Sequence, residues 1–204
     1  MTTTTPSKTP SAAHIAWADY ANASVTLGTP VDVSTKFAVA FSVRLGRRSG
    51  SAFTAGWPNV RIEKSLKTSG NYWIPVASYQ MQVGASIANT TLSGTVAAGD
   101  STCVVAAATN IAAGDYLFLG HTTTVANYEI VRVKSISGTT VTFEEPCVSA
   151  HDNTAPVTDQ AETVVISIST TDCQRVRAVV DNAGSGQTIA AEITIGTFDS
   201  LGTA

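Results

Sequence analysis

The chain has 204 residues, 44% hydrophobic and only 13% charged, with a formal net charge of −3. That length fits one large β-domain or two small ones, at roughly 100–200 residues per domain. The negative balance argues against a nucleic-acid surface. No stretch nears the ~18 apolar residues of a spanning helix, and the start lacks the roughly 7–15 apolar residues of a secretory signal. The expectation is a soluble protein, made in a cytoplasm, with no membrane partner.

Residues 1–13 are rich in Thr, Ser and Pro and have little to bury, so they read as a flexible arm. Such an arm is either frayed or ordered against a neighbouring subunit. Val25 and Leu27 open the strand signals. In KFAVAFSVRLG, Phe37, Val39, Phe41, Val43 and Leu45 share one face, and Lys36, Ala38, Ala40, Ser42 and Arg44 share the other. That period of two belongs to a half-buried strand. A Gly-rich loop, GRRSGSAFTAGWP, leads to NVRIEKS, where Val60 and Ile62 point inward. YWIPVASYQMQV follows, and its Pro75 implies an edge position or a bulge.

The next stretch reads as a self-contained set of short strands. The pairs Gly99-Asp100 and Gly114-Asp115 mark strand-entry turns. YLFL, at 116–119, is apolar on both faces, as in the middle of a small barrel. Val131 and Val133, a Ser137-Gly138-Thr139 turn, then Val141 and Phe143 make a hairpin. Three more alternating strands follow: ETVVISIST, RVRAVVD and TIAAEITIGTF. With their turns they make up residues 160–204, 45 residues in all, near the ~40 below which a chain rarely folds unaided. They must therefore complete another sheet. The expected fold class is all-β: a β-sandwich, jelly-roll or Ig-like, from residues 14–83 and 160–204, with residues 84–159 inserted as a small barrel-like module.

Chemistry is sparse. Cys103, Cys147 and Cys173 are an odd set without CxxC spacing, expected to stay reduced, with a Cys103–Cys147 bridge as the less favoured alternative. His14, His121 and His151 fit no metal-ligand spacing, and the last two are expected on surfaces or turns. Glu144 and Glu145 resemble an acid–base pair, but on a strand they would point to opposite faces. No elbow, phosphate loop or dinucleotide motif occurs. No catalytic residue, cofactor or metal is therefore expected. The one charge concentration is Arg44, Arg47 and Arg48, with Phe53 and Trp57 beyond. It reads either as a solvated loop or as a protein-contact patch. On either reading Arg47 and Arg48 are loop-surface residues whose replacement by Ala leaves the fold intact.

The run AAGDYLFLG, YEIVRVKSISGTTVTFEEP, SAH and Pro156-Val157 resembles a small β-module that recurs in bacteriophage structural proteins. The stretch FAVAFSVRLGRRSGSAFTAGWPNVRIEKS, with YWIPVAS, is similar to the sandwich portion of such proteins. The resemblance implies a virion component without catalytic residues. Its forms are a capsid decoration (cement) protein, a neck or tail accessory, or a fibre. The implied partners are the major capsid protein or other virion proteins, in a homo-oligomer (dimer or trimer). A different class is a carbohydrate-binding module that uses Trp57, Tyr72 and Trp73 as a platform, and a third is an enzyme with a dispersed site.

Overall fold

The computed structural model describes residues 8–48, 53, 57–81 and 87–199, with side chains from residue 12 onward. Among them are no α-helix and fifteen strands. Six come first: β1 (Lys8–Tyr20), β2 (Val25–Leu27), β3 (Val31–Asp32), β4 (Lys36–Arg47), β5 (Asn59–Ser65) and β6 (Ile74–Gln80). Six short ones follow: β7 (Asn89–Thr91), β8 (Thr102–Val104), β9 (Tyr116–Leu119), β10 (Glu129–Ser137), β11 (Thr140–Phe143) and β12 (Pro156–Thr158). The last three are β13 (Ala161–Ser169), β14 (Arg175–Asp181) and β15 (Ile189–Asp199).

The early and late strands interleave in two antiparallel sheets, ordered β1-β15-β4-β13 and β2-β14-β5-β6, with β3 also on β14. Their facing sides bury Val39, Phe41, Val43 and Leu45 against Val60, Ile62, Val176 and Val180. Each such side chain contributes about 1.5–3 kcal/mol when fully buried. The sandwich is thus the period-two pattern of the sequence made physical. Phe37 departs from it. It shares the parity of Val39 but is 63% exposed, because it lies near the strand's start, where that face is no longer covered. Pro75 sits on edge strand β6 beside a register shift, where Ile62 pairs with Ala77 and Glu63 with Pro75.

The start of the chain corrects the expectation of an arm through residue 13. From Lys8 it is a strand paired with β15. Residues 1–7 lie outside the described residues. Ladder hydrogen bonds come from the backbone, so a strand needs no apolar alternation where a neighbour already offers an edge. Register shifts between Thr9 and Ala12, Ala13 and Ile15, and Ile15 and Ala18 erase the period of two in the sequence. The last of them carries consequences for packing. Ile15 and Tyr20 enter the sandwich core, whereas Trp17 packs with Phe118 and Tyr128 of the barrel.

The middle strands form a third sheet, β7-β12-β9-β10-β11-β8. Its two ends meet beyond β7 and β8, where Leu92 bridges Val105. The Ser93 N–H donates to the Val104 carbonyl, and the Ala106 N–H to the Thr91 carbonyl, each at 2.8 Å. The circuit closes into a small barrel around Leu117, Leu119, Val133, Val141 and Phe143. Two identical Ala-Ala-Gly-Asp turns feed it. Gly99 and Gly114 both take φ +94°, and Asp100 and Asp115 accept the Ala97 and Ala112 N–H groups. A side chain at either glycine would be strained, so the sequence spends Gly there.

Candidate functional site

Barrel and sandwich meet over a seam made of Trp17, Phe118, Tyr128, Ala161 and Ala190. Gly46 of β4 lacks a side chain where the Phe118 ring sits. A Cβ there would lie 2.5 Å from the ring. Phe118 and Tyr128 meet edge to face at 5.1 Å, and Trp17 and Tyr128 at 6.1 Å. Beside this aromatic cluster opens a cleft of about 560 Å³. Trp17, Arg44 and Glu192 line it from the sandwich, and Tyr116, Arg132 and Glu144 from the barrel. Arg44 pairs with Glu192 at 3.3 Å and Arg132 with Glu144 at 3.1 Å. The Arg132 guanidinium also lies 5.7 Å from the centre of the Tyr116 ring.

Glu145 joins Glu144 in the cleft wall. Strand alternation does not separate the two, because both lie in a bend after β11 has ended. Behind the wall sits a buried trio, Glu129, Cys147 and His151. Glu129 accepts the Val148 N–H at 2.8 Å and the Ser149 N–H at 3.1 Å. Burial pushes its carboxyl up, but the Val148 and Ser149 N–H groups, with the His151 ring alongside, outweigh that and hold it below the usual carboxylate range. His151 is 2% exposed, which corrects its reading as a turn residue at the surface. It pairs with Val96 through the backbone and places Nδ1 2.8 Å from the Gly120 carbonyl. His121 is buried too, and its Nδ1 accepts the Thr123 and Thr124 N–H groups at 3.2 and 3.1 Å. Neither position was legible, because both depend on pairings between distant segments. Cys147 is not an activated nucleophile. Burial, then the nearby Glu129, push its thiol up to about 12.

No protein-family model matches the chain, and no curated protein matches it in sequence. Among solved structures, 38% of the chain is similar to the Gp54 tailspike of Acinetobacter baumannii bacteriophage AP22, in complex with A. baumannii capsular saccharide. Identity is 23% and the TM-score 0.34, and the chain spans 15% of that tailspike's length. A second likeness, to the SPBc2 prophage-derived protein YomS, covers 96% of this chain and 98% of that one, at 10% identity and a TM-score of 0.28. Neither likeness carries a residue's role across.

The five residues singled out as a contact patch do not converge. Arg44 faces the cleft. Arg47, expected on a loop, is the last residue of β4 and 0% exposed. Arg48 lies over the Tyr128 ring at 5.2 Å and pairs with Asp19 at 3.3 Å, which ties it to the seam. Phe53 packs on the sandwich core and meets Trp57 edge to face at 6.4 Å. The rest of that loop, residues 49–52 and 54–56, lies outside the described residues. The aromatic platform divides as well. Trp57 precedes β5, whereas Tyr72 and Trp73 follow its far end, roughly 20 Å away for a seven-residue strand. Tyr72 is 62% exposed but carries the Lys67 ammonium 3.8 Å from its ring centre. Arg175 and Arg177 stack on Trp73 at 4.9 and 4.2 Å.

Proposed function

We propose that this chain is a structural protein of a tailed-phage virion that acts by contact rather than catalysis, in first place as a capsid decoration protein. It would be made in the host cytoplasm and assembled on the virion as a homo-oligomer. The resemblance of its two sequence stretches to phage structural proteins supplies the virion context. One structural observation supports binding by contact, and it is the edge strand β13.

Three of the sandwich's four edges are guarded. β2 has three residues, β6 carries Pro75 and a shift in register, and β1 is broken by three such shifts. Natural sheets use such devices against edge-to-edge pairing. β13 has none of them. It pairs with β4 over nine successive residues without a shift, and its single charge, Glu162, lies at one end. Val165 is 63% exposed, and the inward Val164, Ile166 and Ile168 are only partly buried beside the sealed Val43, Phe41 and Val39. Such an edge suits an added strand from another subunit, with backbone bonds for affinity and the half-covered apolar row for area.

The test is light scattering of the chain alone, and co-sedimentation with phage heads and with tails. The proposal expects an oligomer and binding to heads, with Val165→Lys weakening one or both while urea unfolding stays unchanged. A monomer that binds neither particle would remove the contact role. The seam cleft supports a second reading, carbohydrate binding, because paired Arg and Glu side chains beside Tyr116 suit a polyhydroxylated ligand. Glycan-array binding that Tyr116→Ala abolishes would favour it.

A further inference from the structure

We propose that Glu129, Cys147 and His151 form a binding site for one zinc-class divalent metal ion, set in the barrel behind the seam cleft. Their ligand atoms all lie within 4.8 Å of one another, and all three residues are buried.

The donor pattern at His151 carries the argument. Its Nδ1 lies 2.8 Å from the Gly120 carbonyl, which can only accept, so that nitrogen holds the proton. The lone pair is then on Nε2, yet the neighbour of Nε2 at 3.3 Å is Glu129 Oε2, another acceptor. Two acceptors facing each other away from water repel, and a cation between them removes the conflict. A second ring proton would do the same, but charge-assisted N–H···O bonds run about 2.7–2.9 Å. Two ligands at about 2.0–2.1 Å from a tetrahedral ion stand about 3.3 Å apart, which is the separation observed.

The surroundings fit the same ion. The Gly120 carbonyl fixes the imidazole tautomer, and the Val148 and Ser149 N–H groups orient the carboxylate, as outer partners of a metal site do. Backbone bonds pin the ligand-bearing segment: Cys147 N–H to Asp100, and His151 N–H to Val96, each at 2.8 Å. Sulfur with imidazole and one carboxylate selects zinc over calcium or magnesium, which prefer all-oxygen sets. On binding, the Cys147 S–H bond breaks, a sulfur–metal bond forms and the proton leaves to solvent. Glu129, Val148 and Ser149 also border the cleft, which gives the ion an entry path and a water a fourth position.

The test uses the full chain, stripped with EDTA and titrated with Zn²⁺, and with Co²⁺ as a spectroscopic probe. The expected result is one ion per chain, a raised melting temperature, and a thiolate-to-cobalt charge-transfer band with tetrahedral ligand-field bands. Cys147→Ser should abolish that band and weaken Zn²⁺ binding at least tenfold, whereas Cys173→Ser in the sandwich should change neither. A wild-type Co²⁺ spectrum without the thiolate band overturns the site, as does unchanged Zn²⁺ affinity in Cys147→Ser. The first of these is read on the unaltered protein, so a misfolded variant does not shield the proposal.

Discussion

The Arg47 guanidinium reaches 2.9 Å from the carbonyl oxygen of Ala88, carrying the end of a sandwich strand into the barrel. The same residue donates its backbone N–H to Gln160, and its carbonyl accepts the Thr158 hydroxyl at 2.6 Å. Burial pushes the guanidinium down and the half-buried Asp159 up, so desolvation outweighs their mutual attraction. Arg47 thus works as a bolt through the seam and not as a surface charge. Arg47→Ala should lower stability by about 3 kcal/mol, since it leaves buried acceptors without their cation. Arg44→Ala breaks only a solvent-facing pair and should cost at most about 0.5 kcal/mol. Urea unfolding of the two variants, side by side, measures the contrast.

Gly46→Ala tests the seam from the packing side. The added Cβ meets Phe118 at 2.5 Å, and that ring is fully buried between Trp17 and Tyr128. Overpacking of this kind costs roughly 1–3 kcal/mol. Gly46→Ala combined with Phe118→Leu should recover part of the loss, a coupling that a double-mutant cycle in urea reads directly. Additive effects would show that ring and glycine do not share space.

His14 predicts a pH dependence. Its Nε2 accepts the Ala178 N–H at 3.0 Å, its ring packs edge-on to Phe41, and burial pushes its pKa below 6.5. The unfolded chain takes up the proton first as pH falls, so protonation favours unfolding. The contribution is complete above 6.5 and is lost as pH falls from there through the folded value. His14→Gln, which keeps an acceptor but cannot titrate here, should flatten the fall in stability as pH drops below 6.5. If wild type and variant decline in parallel, other groups account for the slope.

The legible parts of this protein were those where one strand's side chains carry the information. β4, β5, β14 and β15 show their inward rows in plain alternation, and Pro75 marks an edge. What stayed hidden depends on a partner distant in sequence. β1 has no alternation because its register shifts turn Trp17 away from the face that Ile15 and Tyr20 share. Arg47 looks like a loop charge until the Ala88 carbonyl arrives from the barrel. Cys147 and His151, four apart, lacked a metal spacing because the third member, Glu129, comes from β10, eighteen residues earlier than Cys147. A buried His beside a backbone bridge leaves no mark in composition.

The barrel should fold without the sandwich, but the sandwich should suffer without the barrel. Residues 87–158 close their own hydrogen-bond circuit through Leu92 and Val105, and enclose a core separate from the sandwich's. Cutting them out exposes chiefly Phe118 and Tyr128, and the remaining length exceeds the 55–65 residues at which many domains fold alone. The sandwich loses more in kind. Trp17, Ala161 and Ala190 lose their cover, and Arg47 loses the Ala88 carbonyl while remaining between strands. Residues 87–158 alone should therefore unfold cooperatively in urea and show protected amides in β9 and β10. The chain with residues 87–158 replaced by a short Gly-Ser linker should be less stable than the intact protein. Arg47→Ala should then cost the deletion less than it costs the intact chain, because the Ala88 carbonyl that its guanidinium reaches belongs to the removed segment. Equal costs in both backgrounds would mean that the Ala88 contact of Arg47 is not what couples the two bodies, and a non-cooperative barrel fragment would mean that its closure depends on the sandwich.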